Sequence, residues 1–124
     1  MFGVLLLLAG FTYPPSPILS VEIEHAAELP QVVDIDSLIQ QKALQYSVNE
    51  SHLRATIKCE SGFKISALGD HGLARGLAQI RSDYHSEVSD AEAYSPEFSV
   101  DFMAKAFSEG REKEWSCWRS QFGG

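Results

Sequence analysis

The chain has 124 residues, of which 44% are hydrophobic and 10% aromatic, so it is long enough for one globular domain with an apolar core and too short for two. The net charge of −7 is uneven, because residues 1–36 contribute −5 without any Lys or Arg, and the remaining residues contribute only −2. This nearly neutral domain lacks the basic stripe that nucleic acid requires, which excludes a typical nucleic-acid-binding protein.

The chain begins with an apolar segment, residues 2–11, which is followed by three prolines. Ten helical residues extend about 15 Å, roughly half of a bilayer core, so we predict no stable membrane span. The length is typical of a signal peptide, and residues 1–20 are predicted to be a signal peptide or a hydrophobic N-terminus. We therefore expect export to the periplasm, the cell wall or the medium, with an uncleaved anchor as the alternative. Residues 21–33 are predicted to be an acidic tether, and residues 34–124 to be the folded domain.

Two helices are predicted at the start of this domain. Residues 34–47, DIDSLIQQKALQYS, have helical apolar periodicity, with Asp34 or Asp36 as the N-cap. Residues 48–62, VNESHLRATIKCESG, form the second helix, with Asn49 as its N-cap and a final glycine suited to the helix end. The expected core-facing residues of the first helix are Ile35, Leu38, Ile39, Ala43 and Tyr46.

The rest of the domain is predicted to be an ordered loop followed by further helices. Residues 62–76 contain four glycines and are predicted to form a loop with several positive-φ positions. Residues 76–82, GLAQIRS, are expected to begin a short helix, and SDAE at 89–92 resembles a capping box. Residues 95–110 form the clearest helix, because a Ser-Pro pair precedes its apolar face, and residues 112–122 form an aromatic-rich final helix. The predicted fold class is all-α and mainly helical, in a small single domain with room for a minimal β-hairpin in its glycine-bearing loop.

The two cysteines, Cys59 and Cys117, have no CxxC spacing. Adding His71 and His85 gives no recognised zinc-finger spacing, so no metal site is predicted. A disulfide between the cysteines suits an exported chain, and closing a loop of about 58 residues would destabilise the unfolded chain by about 4 kcal/mol in the chain-entropy model. The alternative is two unpaired, buried thiols.

A glutamate, Glu60, ends the apolar face of the second predicted helix. The residues of this face are Leu53, Thr56, Ile57 and Glu60, at positions i, i+3, i+4 and i+7. Burial among apolar side chains and the negative end of the helix dipole should both raise the pKa of the Glu60 carboxyl. A carboxyl that stays protonated near neutral pH is the general acid that cleavage of a glycosidic bond requires. The alternative is a Glu60 that turns to solvent or pairs with a neighbouring lysine.

Two motifs in this region resemble those of a known group of enzymes. The segment LRATIKCESGFKISALGDHGLARGLAQI contains Glu60-Ser61 at a helix end and, after the glycine-bearing loop, Gly-Leu-Ala-Gln at residues 76–79. It resembles the soluble lytic transglycosylase and goose-type lysozyme group of lysozyme-like folds, in which the catalytic glutamate lies in a Glu-Ser motif and a Gly-Leu-x-Gln motif follows. The resemblance covers residues 38–118, and the continuous segment GDHGLARGLAQIRSDYH is similar to goose-type enzymes.

The resemblance implies a role for each matching residue. Glu60 would be the catalytic acid and base, and Ser61 would form a hydrogen bond near it. Gly76 would let the backbone approach the sugar, Gln79 would contact an acetamido or hydroxyl group, and Tyr84 would line the cleft. The residues other than Glu60 each have a structural alternative. Ser61 would only cap the helix, Gly76 would only form a turn, and Gln79 and Tyr84 would only lie on the surface.

The chain also departs from the family pattern. Asp70 matches an aspartate that is thought to position water in goose-type enzymes, but Arg81 replaces the second such aspartate. Asp83 lies two residues further and is expected to point to the opposite side of a short helix. The later helix carries Ser99 where transglycosylases have an asparagine, and Phe107 near the place of their tyrosine.

These observations predict a peptidoglycan-cleaving enzyme that acts on the β-1,4 bond between N-acetylmuramic acid and N-acetylglucosamine. A lytic transglycosylase with Glu60 as its single catalytic carboxylate is favoured, acting as a monomer on glycan strands without metal or cofactor. One alternative is a lysozyme-type hydrolase in which Asp70 assists water. Two further alternatives are a non-catalytic peptidoglycan-binding module and a secreted structural domain in which Glu60 is incidental.

Overall fold

The computed structural model describes residues 32–124, so the predicted signal peptide and all but two residues of the predicted tether lie outside the described residues. The described part is mainly helical, with five α-helices and a small antiparallel sheet, as the sequence predicted. None of these helices is both long and apolar enough to cross a membrane. The helices are α1 (Ile35–Tyr46), α2 (Glu50–Ser61), α3 (Asp90–Tyr94), α4 (Pro96–Ser108) and α5 (Ser116–Phe122). The strands are β1 (Leu68–Gly69), β2 (Ala74–Arg75) and β3 (Ile80–Arg81), and 3-10 turns cover Asp70–Gly72 and Glu112–Glu114.

The helix ends carry the predicted capping residues. Asp34 accepts hydrogen bonds from the first-turn amides of α1, and Asn49 accepts one from His52 N at the start of α2. These side chains satisfy amides that have no partner within the helix. Gly62 ends α2 with φ 62°, a conformation that glycine adopts without a steric penalty. The capping box of α3 is confirmed, and α4 begins with a proline after a capping serine.

The core lies between α1, α2 and α4, and α4 contributes the largest share of it. Full burial stabilises each large aliphatic side chain by about 1.5–3 kcal/mol, which accounts for the regular apolar spacing along these helices. The predicted apolar faces are confirmed. The buried apolar residues of the three helices are Ile39 and Ala43 of α1, Leu53 and Ile57 of α2, and Val100, Met103, Ala104, Ala106 and Phe107 of α4.

The sheet has the order β1-β2-β3, with Leu68 opposite Arg75 and Ala74 opposite Arg81. The prediction of a helix starting in residues 76–82 is wrong, because this segment turns the chain from β2 into β3. Gly76 and Gln79 have φ values of 78° and 51°, and a right-handed helix does not accommodate left-handed residues. The turn is closed by a hydrogen bond from Gln79 N to Gly76 O of 3.1 Å.

A buried arginine, Arg75, fixes the sheet against α3. Its Nε donates to Ile80 O at 3.2 Å, and its Nη1 donates to Val88 O at 3.2 Å and to Asp90 Oδ1 at 2.9 Å. The guanidinium thus joins the end of β2 both to β3 and to the start of α3, because its several N–H donors reach these two elements at once.

The C-terminal helix α5 is tied to α2 by the disulfide between Cys59 and Cys117, so the predicted pairing is present in the structure. Trp115, just before α5, is buried, and its Nε1 donates to Ala78 O at 2.8 Å. Trp118 packs against the same core from a partly buried position. The chain end therefore closes the core, as expected, and also contacts the turn that carries Gln79.

Candidate active site

A cleft of about 530 Å³ lies between the end of α2, the β-sheet and the start of α5. Its wall combines charged groups with aromatic rings, a mixture suited to a polar ligand with apolar ring faces. The charged lining residues are Glu60, Asp70, Arg81, Glu114 and Arg119. The others are Gln79, Ile80, Tyr84, His85, Phe102, Trp115 and Ser116.

Glu60 lies in this cleft as the half-buried last position of the α2 apolar face. Leu53, Thr56 and Ile57, which precede it on that face, are fully buried. The spacing predicted this continuation, because Ile57 lies one helical turn after Leu53 and Glu60 lies one turn after Ile57. Glu60 Oε1 accepts a hydrogen bond of 3.2 Å from Cys117 N, in the first turn of α5.

The predicted rise in the pKa of Glu60 is confirmed. Burial is the largest cause, since it disfavours the ionised carboxylate, and the negative charge of Asp70 adds to it. The hydrogen bond from Cys117 N and the positive charge of Arg119 act in the opposite direction, because both stabilise the carboxylate. The net result is a carboxyl that keeps its proton to a higher pH than an ordinary glutamate.

Asp70 follows β1 with φ 50° and lines the same cleft. Its side chain is 60% exposed, and its Oδ2 lies 3.1 Å from Arg81 Nη1. Arg81 also pairs with Asp83 through two contacts, Nε to Oδ1 at 2.9 Å and Nη2 to Oδ2 at 2.8 Å. The guanidinium lies 4.7 Å from the centre of the Tyr84 ring, within the range of a cation–π contact.

Arg81 therefore joins two carboxylates, Asp70 and Asp83, at the edge of the cleft. Its hydrogen bond holds the pKa of Asp83 below its usual range, so Asp83 stays ionised. The expected helix at Asp83 is absent, because the chain there forms strand β3 and then turns. Asp83 bonds to Arg81 and is not among the residues that line the cleft.

Gln79 is held on the cleft wall by its amide nitrogen. Its Nε2 donates to Gly76 O at 3.0 Å and to Ala67 O at 3.3 Å. Gly69 permits this position, since a Cβ there would lie 2.4 Å from Gln79 Oε1. No hydrogen bond to Oε1 is found among the described residues. The sequence marked Gly69 only as one of the four glycines of the predicted loop and as the residue before Asp70, without a contact to Gln79.

Ser61 and Gly76 lie behind the cleft and do not line it. Ser61 is buried, and its Oγ donates to Ile57 O at 3.0 Å within α2. Gly76 is buried against α3, where a Cβ would lie 2.1 Å from Ala93 O. Gly76 thus permits a close approach to the Ala93 carbonyl, and its φ of 78° lies in the turn from β2 into β3.

Side chains from distant parts of the chain fix the Gln79 turn. Ser99 is fully buried, and its Oγ accepts a hydrogen bond of 2.9 Å from Ala78 N. Trp115 Nε1 binds the carbonyl of the same residue, so both polar groups of Ala78 are bonded to side chains. Ser99 therefore has a defined contact that supports the Gln79 turn.

Sequence reasoning missed several groups at the cleft, notably Cys117 N, Phe102, Glu114 and Arg119. They come from α4, the turn before α5, and α5 itself. The apolar patterns assigned the aromatic residues of this region only to the core. No local motif marks the other groups, because their contacts with the cleft depend on how α5 packs.

The family model described as transglycosylase SLT domain matches residues 37–114. The match includes Glu60, Asp70 and the Gln79 turn, and it ends just before α5. No solved structure matches the chain. The chain therefore belongs to the transglycosylase SLT domain family of the lysozyme-like superfamily, whose members are generally lytic transglycosylases that act on peptidoglycan.

Proposed function

We propose that this protein is a lytic transglycosylase that cleaves the β-1,4 bond between N-acetylmuramic acid and N-acetylglucosamine, with Glu60 as its single catalytic carboxylate. The observation that carries the proposal is the half-buried Glu60 in the cleft, with a raised pKa, while Asp70 is bound by Arg81. Membership of the transglycosylase SLT domain family supports the choice of substrate.

In the first step, protonated Glu60 donates its proton to the glycosidic oxygen. The bond from that oxygen to muramic-acid C1 breaks, and positive charge develops on the sugar as an oxocarbenium-like centre. In the second step, the 6-hydroxyl of the same sugar attacks C1, and the Glu60 carboxylate accepts its proton. The product carries a 1,6-anhydro bond, and Glu60 returns to its protonated form without any water being consumed.

Intramolecular attack suits a site with one free carboxylate. Inverting hydrolysis needs a second carboxylate about 6.5–9.5 Å from the acid, with room for a water molecule. Asp70 and Glu114 are the other carboxylates that line the cleft, but Asp70 Oδ2 already accepts from Arg81 and Glu114 Oε2 accepts from Arg111. The 6-hydroxyl is tethered to the reacting sugar and needs only Glu60 as base, so its effective concentration is high.

A lysozyme-type reaction is the second candidate. Asp70 lines the cleft with a largely exposed side chain, and it is near enough for its charge to raise the pKa of Glu60. In this alternative, Asp70 would position the water molecule that replaces the 6-hydroxyl. The two reactions differ in their products.

We infer roles for two further residues of the cleft. Tyr84, with 72% of its surface exposed, offers a ring face to a sugar, and Arg81 fixes that ring by its cation–π contact. Gln79 offers Oε1 to an acetamido N–H, because its Nε2 is bonded to backbone carbonyls. Ser61 and Gly76 support these residues by packing.

We also infer that the protein is exported. Peptidoglycan lies outside the cytoplasm, and a disulfide between Cys59 and Cys117 persists in an oxidising compartment. Fractionation of the producing cells, with a reporter fused to the C-terminus, tests this inference. Recovery of the fusion in the cytoplasm alone contradicts it.

The decisive experiment is mass spectrometry of muropeptides released from purified peptidoglycan in heavy-oxygen water. A transglycosylase yields 1,6-anhydro ends that are lighter by one water molecule and carry no heavy oxygen. Labelled reducing ends would identify a lysozyme, and no release above the Glu60→Gln control would identify a binding module. The same digest of sacculi from which stem peptides have been removed tests whether the glycan alone is sufficient.

A further inference from the structure

The carboxylate of Glu60 is linked to α5 through two connections that meet at one residue. Cys117 N donates to Glu60 Oε1 at 3.2 Å, and the Cys117 side chain is bonded to Cys59, the residue directly before Glu60. The backbone amide and the disulfide of Cys117 therefore both hold the end of α2. Residue 117 lies beyond the family-matched residues 37–114.

The first turn of α5 has no capping side chain of its own. Its N-cap is Trp115, which provides no side-chain hydrogen bond to the helix. The first amides of a helix have no partner within it, and here Glu60 accepts from one of them across 57 residues of sequence. Without the disulfide, only hydrogen bonds and packing contacts would hold this short helix against α2.

The geometry points to the backbone amide of Cys117 as a positioning group for catalysis, held against Glu60 Oε1 by the Cys59–Cys117 disulfide. This inference rests on the proposed function of Glu60 as the acid. One oxygen of the carboxyl is then committed to the amide, which leaves Oε2 to carry the proton to the glycosidic oxygen. The Cys59–Cys117 disulfide, which we call the clasp, is a covalent link that limits the motion of the Cys117 amide relative to the Glu60 carboxyl.

The charged groups around Glu60 determine how much the hydrogen bond from the Cys117 amide matters for the pKa of Glu60. The titratable and charged groups that share its cleft are Asp70, Arg81, Tyr84, His85, Glu114 and Arg119. Of these, Asp70 raises the pKa of Glu60, and Arg119 lowers it together with the Cys117 amide. Both lowering groups belong to α5, so α5 supplies the two contacts that stabilise the Glu60 carboxylate.

Reduction can reach this clasp, because Cys59 is exposed to solvent. A separated α5 would take the amide and Arg119 away together. The carboxylate would lose these two stabilising contacts, and greater access of water would act in the opposite direction. The alkaline limb of the activity profile should therefore shift as the maximal rate falls.

The contact itself can be tested by NMR on the full-length, oxidised protein. The amide proton of a donor to a carboxylate changes its chemical shift as that carboxylate ionises. We expect the Cys117 amide to titrate with the same midpoint as the Glu60 δ-carbon, and this response to vanish in Glu60→Gln. A Cys117 amide that does not follow the Glu60 midpoint overturns the inference. Because this measurement needs no turnover, it stands even where the proposed reaction fails.

The role of the disulfide is tested by repeating the δ-carbon titration on reduced protein and on Cys59→Ser/Cys117→Ser. We expect the Glu60 midpoint to change and the Cys117 response to disappear, because the carboxylate loses its donor while its access to water increases. Arg119→Gln is the matched control on the same helix, with a rise in the Glu60 midpoint and an intact Cys117 response. An unchanged midpoint in folded, reduced protein overturns the role of the clasp. If reduction unfolds the protein, the amide measurement on oxidised protein decides alone.

Discussion

Arg81 holds Asp70 in an ion pair, with 3.1 Å between Arg81 Nη1 and Asp70 Oδ2, in the cleft that Glu60 also lines. Two further contacts bind the same guanidinium to Asp83. Arg81 thus binds the carboxylates of Asp70 and Asp83 at the same time. This arrangement favours a reaction that uses Glu60 as the single carboxylate. Substitution of Arg81 therefore tests whether 1,6-anhydro or hydrolysed ends are formed.

Glu60→Gln should abolish cleavage, because the amide keeps the side-chain shape but delivers no proton to the leaving oxygen. The expected loss is about a hundredfold or more in the rate of clearing of a peptidoglycan suspension. The variant should keep its circular-dichroism spectrum and still sediment with peptidoglycan. Activity above about a tenth of the wild-type rate would exclude Glu60 as the acid.

Arg81→Gln should increase the fraction of hydrolysed ends, because Asp70 is released to position water. The variant should fold, since exposed ion pairs contribute little to stability. The measurement is the ratio of hydrolysed to 1,6-anhydro muropeptides. In Arg81→Gln/Asp70→Asn this ratio should return to the wild-type value, and an unchanged ratio in the single variant would show that Arg81 does not control the product.

Asp70→Asn should move the alkaline limb of the activity profile to lower pH while reducing the maximal rate only modestly. The negative charge of Asp70 raises the pKa of Glu60, so its removal lets Glu60 lose its proton at lower pH. Rates of clearing measured across the pH range, at limiting substrate, report this shift. An inactive variant would instead support the lysozyme alternative.

Gly76→Ala should destabilise the protein strongly. Its Cβ would lie 2.1 Å from Ala93 O, at a φ of 78°, so both steric overlap and backbone strain oppose it. A loss of about 3 kcal/mol or more is expected in urea unfolding. Gly62→Ala is the control, because φ is 62° there but no atom lies within 4 Å. Gly62→Ala should lower the free energy of unfolding by about 1 kcal/mol, and equal losses in the two variants would contradict the steric argument.

Reduction of the Cys59–Cys117 disulfide should lower both the melting temperature and the activity. The bond closes a 58-residue separation, for which the chain-entropy model gives about 4 kcal/mol. Mass measurement should find two hydrogens fewer in the oxidised protein than in the reduced one. Titration of two free thiols in native protein that has been exposed to air would contradict the bond.

Sequence alone determined the features that depend on neighbours within one or two helical turns. The caps at Asp34 and Asn49, the left-handed Gly62 and the buried face ending at Glu60 all follow from local spacing. A helix places residues three and four apart on one side whatever surrounds it. The acid candidate and its raised pKa were therefore predictable without the rest of the fold.

The tertiary structure alone decided which groups meet Glu60 and which carboxylates remain free. The apolar start of residues 76–82 indicated a helix, but packing of the turn against Ala93 and Ser99 imposed left-handed residues and a strand. The pairing of Arg81 with Asp70 follows from that turn, and the donor at Cys117 follows from the packing of α5 across 57 residues. Such contacts depend on where distant segments converge in space, which local spacing does not encode.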